Sequence, residues 1–379
     1  MLNLIVALAI PVSTVILVAL LLFYLLKAGQ MRDVDMDNES QGGQSPNQKS
    51  RQQELDEEGA EEEEDLFLFR GGEDLTICDL LEAPGEVIGK SNCGTLYKAL
   101  LQQQQQHPQS RRSGSNGSLR LLRFLRPAAC TARTGQFLNA IELLGSIRHP
   151  NLVPLLGFYS GPRGEKLLIY PFYRRGNLAQ FIQDGSRESH KWATIYKISI
   201  GIARGLDHLH TGTGAGAGAG AGELIMNKKP NTSIIIHGNL KSKNILLDRN
   251  HEPRISDFGL NLLLNSATCQ EILNVSATEG YKAPELVNMK DANVDTDIYN
   301  LGVILLELVT GSSREPIYDK AAAQLVGEDQ GVGATTTEEE GRLLKLFQLG
   351  MACCSPSPSL RPTIKQVLRK LEEIGLGGT

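Results

Sequence analysis

Two neighbouring stretches decide the fold: residues 237–248 read HGNLKSKNILLD, and residues 255–260 read ISDFGL. Five further segments lie before and after them in the chain: VIGKSNCGTLYKA at 87–99, IRHPNLVPLLGFY at 147–159, GYKAPEL at 280–286, DIYNLGVILLELVTG at 297–311 and SLRPTIKQVL at 359–368. One short motif is weak evidence for a fold. Seven segments in one order are strong evidence, because each depends on a different structural context.

The hydrophobic periodicity changes along the chain. The first half contains short apolar segments that predict strands, at 86–88, 96–101, 119–125 and 167–170. Later segments repeat apolar residues at helical spacing, over 192–210 and 362–374. Strands followed by helices indicate an α+β class with a β-rich lobe and a helical lobe.

Over roughly residues 75–375 the seven segments resemble the protein kinase family, and specifically the plant receptor-like kinases of the leucine-rich-repeat type. The resemblance implies a bilobal protein kinase fold over residues 71–376. Its N-lobe would cover about 71–170 and its C-lobe about 171–376. No receptor ectodomain is expected, because the N-terminal residues 1–26 predict a membrane anchor that would leave only a few residues outside the membrane.

The same resemblance implies a cleft for ATP and Mg²⁺ between the lobes. Gly89 and Gly94 match the glycine loop over the phosphates, and Arg123 matches the position of the phosphate-gripping lysine. Asn244 and Asp257 match the residues that hold Mg²⁺ on the nucleotide.

Several groups around that cleft depart from the family pattern. Ser91 stands where the middle glycine of the loop belongs, and Leu121 replaces the small residue beside the adenine. Arg123 keeps the charge of the lysine, but a planar guanidinium does not reproduce an ammonium point contact. Ala140 replaces the glutamate that pairs with the lysine, and Glu142 is rotated by about 200° along the predicted helix and cannot substitute. The ion pair of an active kinase therefore cannot form.

The catalytic loop also departs from the family pattern. Asn239 matches the catalytic aspartate, and a carboxamide has no basic site at neutral pH. Loss of a general base costs about 10² to 10⁴ in rate. Gly238 replaces the arginine that usually anchors a phosphorylated activation loop, whereas Lys241 is retained.

The scaffold positions are retained. His237, Phe258 and Leu144 match an apolar column that joins the lobes, and Asp297 matches the aspartate that ties the catalytic loop. Glu285 and Arg361 match a buried ion pair of the C-lobe, whose loss on one side costs about 3 to 5 kcal/mol. Altered catalytic groups on a retained scaffold indicate a pseudokinase.

The N-terminal residues predict a membrane anchor and a linker. Residues 2–26 carry no charge, and about 37 Å of helix would cross a bilayer core of about 30 Å. We therefore expect a transmembrane anchor at 1–26, with the rest of the chain in the cytosol because Lys27 and Arg32 follow the span. Residues 27–70 are polar and acidic, which predicts a disordered linker.

Residues 102–118 and 212–222 are of low complexity, which predicts surface loops without chemistry. The stretch 312–340 is shorter and less apolar than the corresponding region of the family, which normally carries a substrate-docking helix. Either an incomplete gene model or a genuine trimming would explain this difference. The net charge is −5 and shows no basic concentration, so nucleic-acid binding is not expected.

The sequence leaves two main functions open. The first is a single-pass plasma-membrane pseudokinase that acts as a scaffold or allosteric partner of other receptor-like kinases or their substrates. The alternative is a weakly active, atypical Ser/Thr kinase that binds ATP through Asn244, Asp257 and Lys241, because phosphoryl transfer relies mainly on positioning. A third hypothesis is a nucleotide-dependent switch that transfers no phosphate.

Overall fold

A computed structural model describes residues 64–101, 117–131, 134–212, 234–311 and 338–376. They form two lobes, a β-rich N-lobe and a helical C-lobe, as the sequence predicts. The predicted anchor at 1–26, the linker up to residue 63 and most of the segments 102–118, 212–222 and 312–340 lie outside the described residues. Within the described ranges, no helix is both long and apolar enough to cross a bilayer.

The N-lobe is one six-stranded antiparallel sheet. In spatial order its strands are β1 (Asp65–Leu68), β5 (Gly157–Ser160), β6 (Lys166–Pro171), β4 (Ser118–Leu125), β3 (Gly94–Leu101) and β2 (Gly85–Ser91). The four predicted strands correspond to β2, β3, β4 and β6, within a few residues at their ends. Among the N-lobe residues that the structure describes, two α-helices accompany the sheet: α1 (Ile77–Glu82) and α2 (Thr134–Ser146).

One strand corrects the predicted domain boundary. Residues 65–68 belonged to the predicted linker, yet they form β1 and pair with β5 in the register Asp65 to Ser160 and Leu68 to Gly157. Stacking of Phe67 on Phe158, with ring centroids 6.0 Å apart, adds packing to the backbone pairing. The prediction was wrong here because four residues carry too little pattern, and only the edge of β5 gives them a partner.

In the described residues, the C-lobe contains six α-helices and a short hairpin. The helices are α3 (Leu178–Gln183), α4 (Trp192–Thr211), α5 (Ser266–Thr278), α6 (Val294–Thr310), α7 (Glu338–Cys353) and α8 (Ile364–Gly375), and the hairpin strands are β7 (Ile245–Leu247) and β8 (Pro253–Ile255). Helices α4 and α8 confirm the two predicted helices. Asn293 caps α6 and Thr363 caps α8 through side-chain oxygens that accept from backbone N–H groups of the first turn.

Two polar contacts fix the C-lobe beneath the cleft. Asp297 is fully buried, and its carboxylate accepts from the backbone N–H groups of His237 at 2.8 Å and Gly238 at 2.9 Å. Arg361 donates to both oxygens of Glu285, at 2.6 and 2.7 Å. Such charge-assisted bonds hold their loops in one geometry, so the scaffold positions are occupied as the family pattern implies.

Candidate functional site

Arg123 lies in the middle of β4, opposite Leu96 of β3 and Leu168 of β6. The side chain points into the cleft and is 7% exposed. Its Nη2 lies 2.6 Å from Oδ1 of Asp257, which forms a buried ion pair between the two lobes. The residue that was expected to grip phosphate instead binds the residue that was expected to hold the metal.

The surroundings keep this guanidinium charged. Burial alone would lower the pKa of Arg123, but the Asp257 carboxylate, together with Cys93 and Tyr170, raises it above its usual range. Its Nη1 lies 3.7 Å from Sγ of Cys93, and its Nε is buried without a hydrogen-bond partner among the described residues. The cleft therefore contains a fixed internal cation that has its own counter-ion.

Asp257 is held in place by its backbone as well as by the ion pair. Its φ is 63°, in the left-handed region that few residues other than glycine adopt. The preceding Ser256 is fixed to Asn244, since its N–H donates to the Asn244 carbonyl at 2.8 Å. At Gly259, where φ is 70°, a Cβ would overlap the Leu144 side chain. These constraints hold the carboxylate against Arg123.

The two expected Mg²⁺ ligands, Asp257 and Asn244, differ in what they already bind. Asp257 already pairs with a cation at 2.6 Å, and like charges that close repel strongly in a buried site. Asn244 is oriented by its Nδ2, which donates to the backbone carbonyl of Asn239 at 2.9 Å. This bond does not use Oδ1, which is the atom of the amide that would bind a metal. A metal bound to Asp257 would therefore lie close to the Arg123 guanidinium.

Helix α2 supplies no acid to the cleft. Ala140 faces inward and is 9% exposed, beside the buried Phe137, Ile141 and Leu144. Glu142 is exposed on the opposite face. The inward face of α2 is therefore apolar, and the glutamate bridge that the family uses at this position is replaced by hydrocarbon contact.

The glycine loop contributes a thiol to the cleft. Cys93 is buried, and its Sγ lies 3.0 Å from the Ser91 hydroxyl as well as near Arg123. At Gly94 a Cβ would overlap the backbone carbonyl of Phe124, so close strand packing requires glycine there. In β6 of the same sheet, burial raises the pKa of the Tyr170 phenol, which stays neutral.

The catalytic loop, residues 237–244, is covered by the segment that follows Asp257. Oδ1 of Asn239 accepts from the Ser276 hydroxyl at 2.9 Å. Lys241 pairs with Glu279 at 2.8 Å, and Glu279 also pairs with Lys243 at 2.8 Å. Burial tends to raise the pKa of Glu279, but its bonds to the two lysines lower it overall. Lys241 is thus occupied by an acid of its own chain.

Three residues that contact the cleft or the catalytic loop were not predicted from the sequence: Cys93, Ser276 and Glu279. The position of Cys93 inside the glycine loop is the signal that could have placed it near the cleft. Ser276 lies outside the seven segments, and no motif points to it. No local signal marks Glu279, because its partners lie more than 35 residues away in the chain.

The protein kinase domain model matches residues 124–371 of the chain. The chain belongs to the protein kinase family. The kinase-like protein TMKL1 of Arabidopsis thaliana is 33% identical over 383 residues, covering 95% of this chain and 51% of that protein. Several other relatives from the same plant are named "probable inactive receptor kinase". The chain spans about half the length of the curated relatives it matches.

Two solved kinase domains share the fold. The maize sucrose-induced receptor kinase 1 domain bound to AMP-PNP is 27% identical, with a TM-score of 0.62, and the match covers 82% of this chain and all of that one. The pseudokinase domain of BIR2, described as an immune regulator of the RLK/Pelle family, is 28% identical, with a TM-score of 0.55 and coverage of 77% and 82%. Of these two neighbours, the maize domain was solved with AMP-PNP bound, and the BIR2 domain is a pseudokinase domain.

Proposed function

We propose that this chain is a non-catalytic kinase-fold module of a single-pass plasma-membrane protein. Its folded domain lies in the cytosol and acts as a scaffold or allosteric partner of catalytically competent receptor-like kinases. Its partners are other proteins of the membrane, and it transfers no phosphate.

The contact between Arg123 and Asp257 carries this proposal. In an active kinase the lysine contacts phosphate and the aspartate contacts Mg²⁺, so both groups must be available to the nucleotide. Here the two side chains neutralise each other at 2.6 Å. Opening the pair would expose two charges in a buried site, at a cost that nucleotide binding would have to offset.

Two further residues support the same conclusion. Ala140 offers no carboxylate to draw Arg123 away from Asp257. Asn239 offers no base to a substrate hydroxyl, and its amide oxygen is already bonded to Ser276. The names of several relatives agree with a non-catalytic role, since these relatives are called "probable inactive receptor kinase".

The competing function is a weakly active Ser/Thr kinase that uses Asn244, Asp257 and Lys241. It requires Arg123 to leave Asp257 when nucleotide arrives, and Lys241 to leave Glu279. The nucleotide-bound maize neighbour is the observation in its favour. A nucleotide-dependent switch without transfer is the third outcome.

Two assays on the purified full chain separate the three functions. The first measures the melting temperature with millimolar ATP, in Mg²⁺, in Mn²⁺ and in EDTA. The second measures phosphate transfer to a generic protein substrate, beside an active plant receptor-like kinase. We expect no shift and no transfer. A shift without transfer would support the switch.

The control for transfer is Asp257→Asn, which retains the shape of the side chain and removes its charge. ATP-dependent transfer that disappears in this variant would refute the proposal, because it would show that Asp257 serves a nucleotide. Co-purification of a catalytically active receptor-like kinase with the membrane-extracted chain is expected, and its absence from every membrane preparation would count against the scaffold role.

A further inference from the structure

A hollow of about 770 Å³ opens between the C-terminal part of α2, residues 234–236 before the catalytic loop, and residues of the range 261–270. Residues of the range 288–292 complete its wall. Its volume lies within the range of about 300 to 1,000 Å³ in which proteins bind small organic molecules. Neither Arg123 nor Asp257 lines the hollow, so it is separate from the nucleotide cleft.

The wall of the hollow is mainly apolar. Ile235, Leu264 and Met289 line it and are buried, whereas Ile234 and Leu262 line it and are 58% and 39% exposed. Exposed apolar side chains that are grouped around one depression mark a surface that binds a partner or a ligand. The apolar wall therefore favours an occupant with an apolar body.

In the part of the chain that the structure describes, the interior of the hollow carries no charge. None of the lining residues is acidic, and the one lysine among them, Lys290, is exposed to solvent. Burial, with Cys93 nearby, raises the pKa of the Cys269 thiol, which stays neutral. An ion that entered this interior would lose its hydration without gaining a charged partner. The lining therefore fits an uncharged occupant.

One polar atom in the wall has no partner. Oδ1 of Asn261 is buried and accepts no hydrogen bond from the described residues. The amide of Gln270, by contrast, is used within the wall, since its Oε1 accepts from the Met289 N–H and its Nε2 donates to the Val287 carbonyl, both at 3.4 Å. A buried acceptor without a partner is unfavourable, so an occupant that donates one hydrogen bond to Asn261 would bind more tightly.

The absence of a side chain at position 238 leaves room at this wall. A Cβ on Gly238 would lie 3.4 Å from Sδ of Met289 and 3.8 Å from Cβ of Ala292, and both of these residues line the hollow. The hollow also keeps its shape without an occupant, because the start of α5 is fixed beside it. There the backbone N–H of Asn265 donates to the Ala129 carbonyl at 2.8 Å.

We propose that this hollow binds an uncharged aromatic molecule that carries one N–H or O–H donor. The aromatic body packs against the apolar wall, and the donor bonds to Oδ1 of Asn261. This inference goes beyond the proposed function, because binding here involves neither Arg123 nor Asp257 and requires no nucleotide. Its test therefore gives a result that is independent of the assays of nucleotide binding and phosphate transfer.

The test is photo-labelling of the full chain with the para-carboxamide of benzophenone, an uncharged aromatic amide that forms bonds to neighbouring C–H groups under light. The labelled peptides are identified by mass spectrometry. We expect saturable labelling of peptides from 261–270 and 288–292, with half-saturation on the order of 0.1 to 1 mM for a ligand of this size. Naphthamide should compete for the label, and naphthoate, which has the same shape but a charge and no donor, should compete at least about 10-fold less well.

Two variants of α5 locate the labelled site. Ala267 is exposed and lines the hollow, so Ala267→Trp should obstruct it and reduce the labelling of both peptides at least about 5-fold. Ala277→Trp is the matched control, since Ala277 is exposed on the same helix away from the hollow, and it should change the labelling by less than about 2-fold. Labelling that persists in Ala267→Trp, an equal loss in Ala277→Trp, or no saturable labelling of the two peptides would each overturn the proposal.

A third variant tests the hydrogen bond. Leucine is close to asparagine in size but accepts no hydrogen bond through its side chain. We expect Asn261→Leu to weaken competition by naphthamide about 5-fold, and to change competition by its N,N-dimethyl derivative, which has no donor, by less than about 2-fold. Equal effects on the two competitors would contradict the bond to Asn261. If Asn261→Leu does not fold, the surface variants Ala267→Trp and Ala277→Trp still decide whether the hollow binds the aromatic amide.

Discussion

The ion pair between Arg123 and Asp257 makes the most direct prediction about stability. We consider three variants: Arg123→Met, Asp257→Asn and the two together. Methionine retains the apolar length of the arginine side chain without its charge. Asparagine tolerates the left-handed backbone that Asp257 adopts at φ 63°.

The expected magnitudes follow from how deeply each partner is buried. Removing one partner of a buried pair costs about 3 to 5 kcal/mol, because the other charge is left without compensation. The side chains are 7% exposed for Arg123 and 18% for Asp257. We therefore expect Asp257→Asn, which leaves the more buried charge unpaired, to cost about 4 kcal/mol, and Arg123→Met to cost about 3 kcal/mol. The double variant should cost only about 1 to 2 kcal/mol, since no charge is stranded.

The assay is equilibrium unfolding of the purified full chain in urea, followed by the fluorescence of Trp192 and by circular dichroism. Agreement between the two probes is required before free energies are compared. The matched control is Arg120→Met on the same strand. Its partner Asp74 lies 3.6 Å away at a more exposed position, so we expect a cost below about 1 kcal/mol.

The double-mutant cycle tests whether Arg123 and Asp257 stabilise the fold through their contact with each other. We expect a coupling free energy of at least about 2 kcal/mol between Arg123 and Asp257. Additive single-variant costs, or equal costs for Arg123→Met and Arg120→Met, would refute the internal ion pair. The nucleotide cleft would then have to be regarded as open.

Three further predictions concern the scaffold and its pH dependence. Asp297→Asn should lower the free energy of unfolding by about 2 to 4 kcal/mol in urea titrations, because an amide nitrogen cannot accept from the three buried donors around it; a cost below 1 kcal/mol would contradict this. Glu285→Gln should cost less than Arg361→Ala, since the glutamate is 27% exposed and Arg361 is fully buried; the reverse order in thermal melts would show that the charge of Glu285 dominates. Burial, with His208 and Arg204 nearby, lowers the pKa of His149 to about 4, so its contribution to stability is present above about pH 6.5 and is lost as the pH falls toward 4. His149→Asn should therefore flatten the loss of stability between pH 6.5 and 4, and an unchanged slope would exclude His149 as its source.

The fold class, the order of the lobes and the altered catalytic positions could be predicted from the amino-acid sequence. They depend on local pattern: short apolar segments, helical periodicity and motifs whose residues are close in the chain. The absence of a carboxylate at Ala140 and Asn239 can be read from the chain without coordinates.

The contacts of the altered residues could not be predicted from the sequence, because their partners are distant in the chain. Arg123 and Asp257 are separated by 134 positions, and Asn239 and Ser276 by 37, so no local pattern could pair them. Strand β1 exists because β5 offers it an edge, and α5 has its place because the catalytic loop and the β4–α2 connection hold both its ends. Long-range contacts between charged and polar groups depend on the position of both partners in space, which is set by packing of the whole domain.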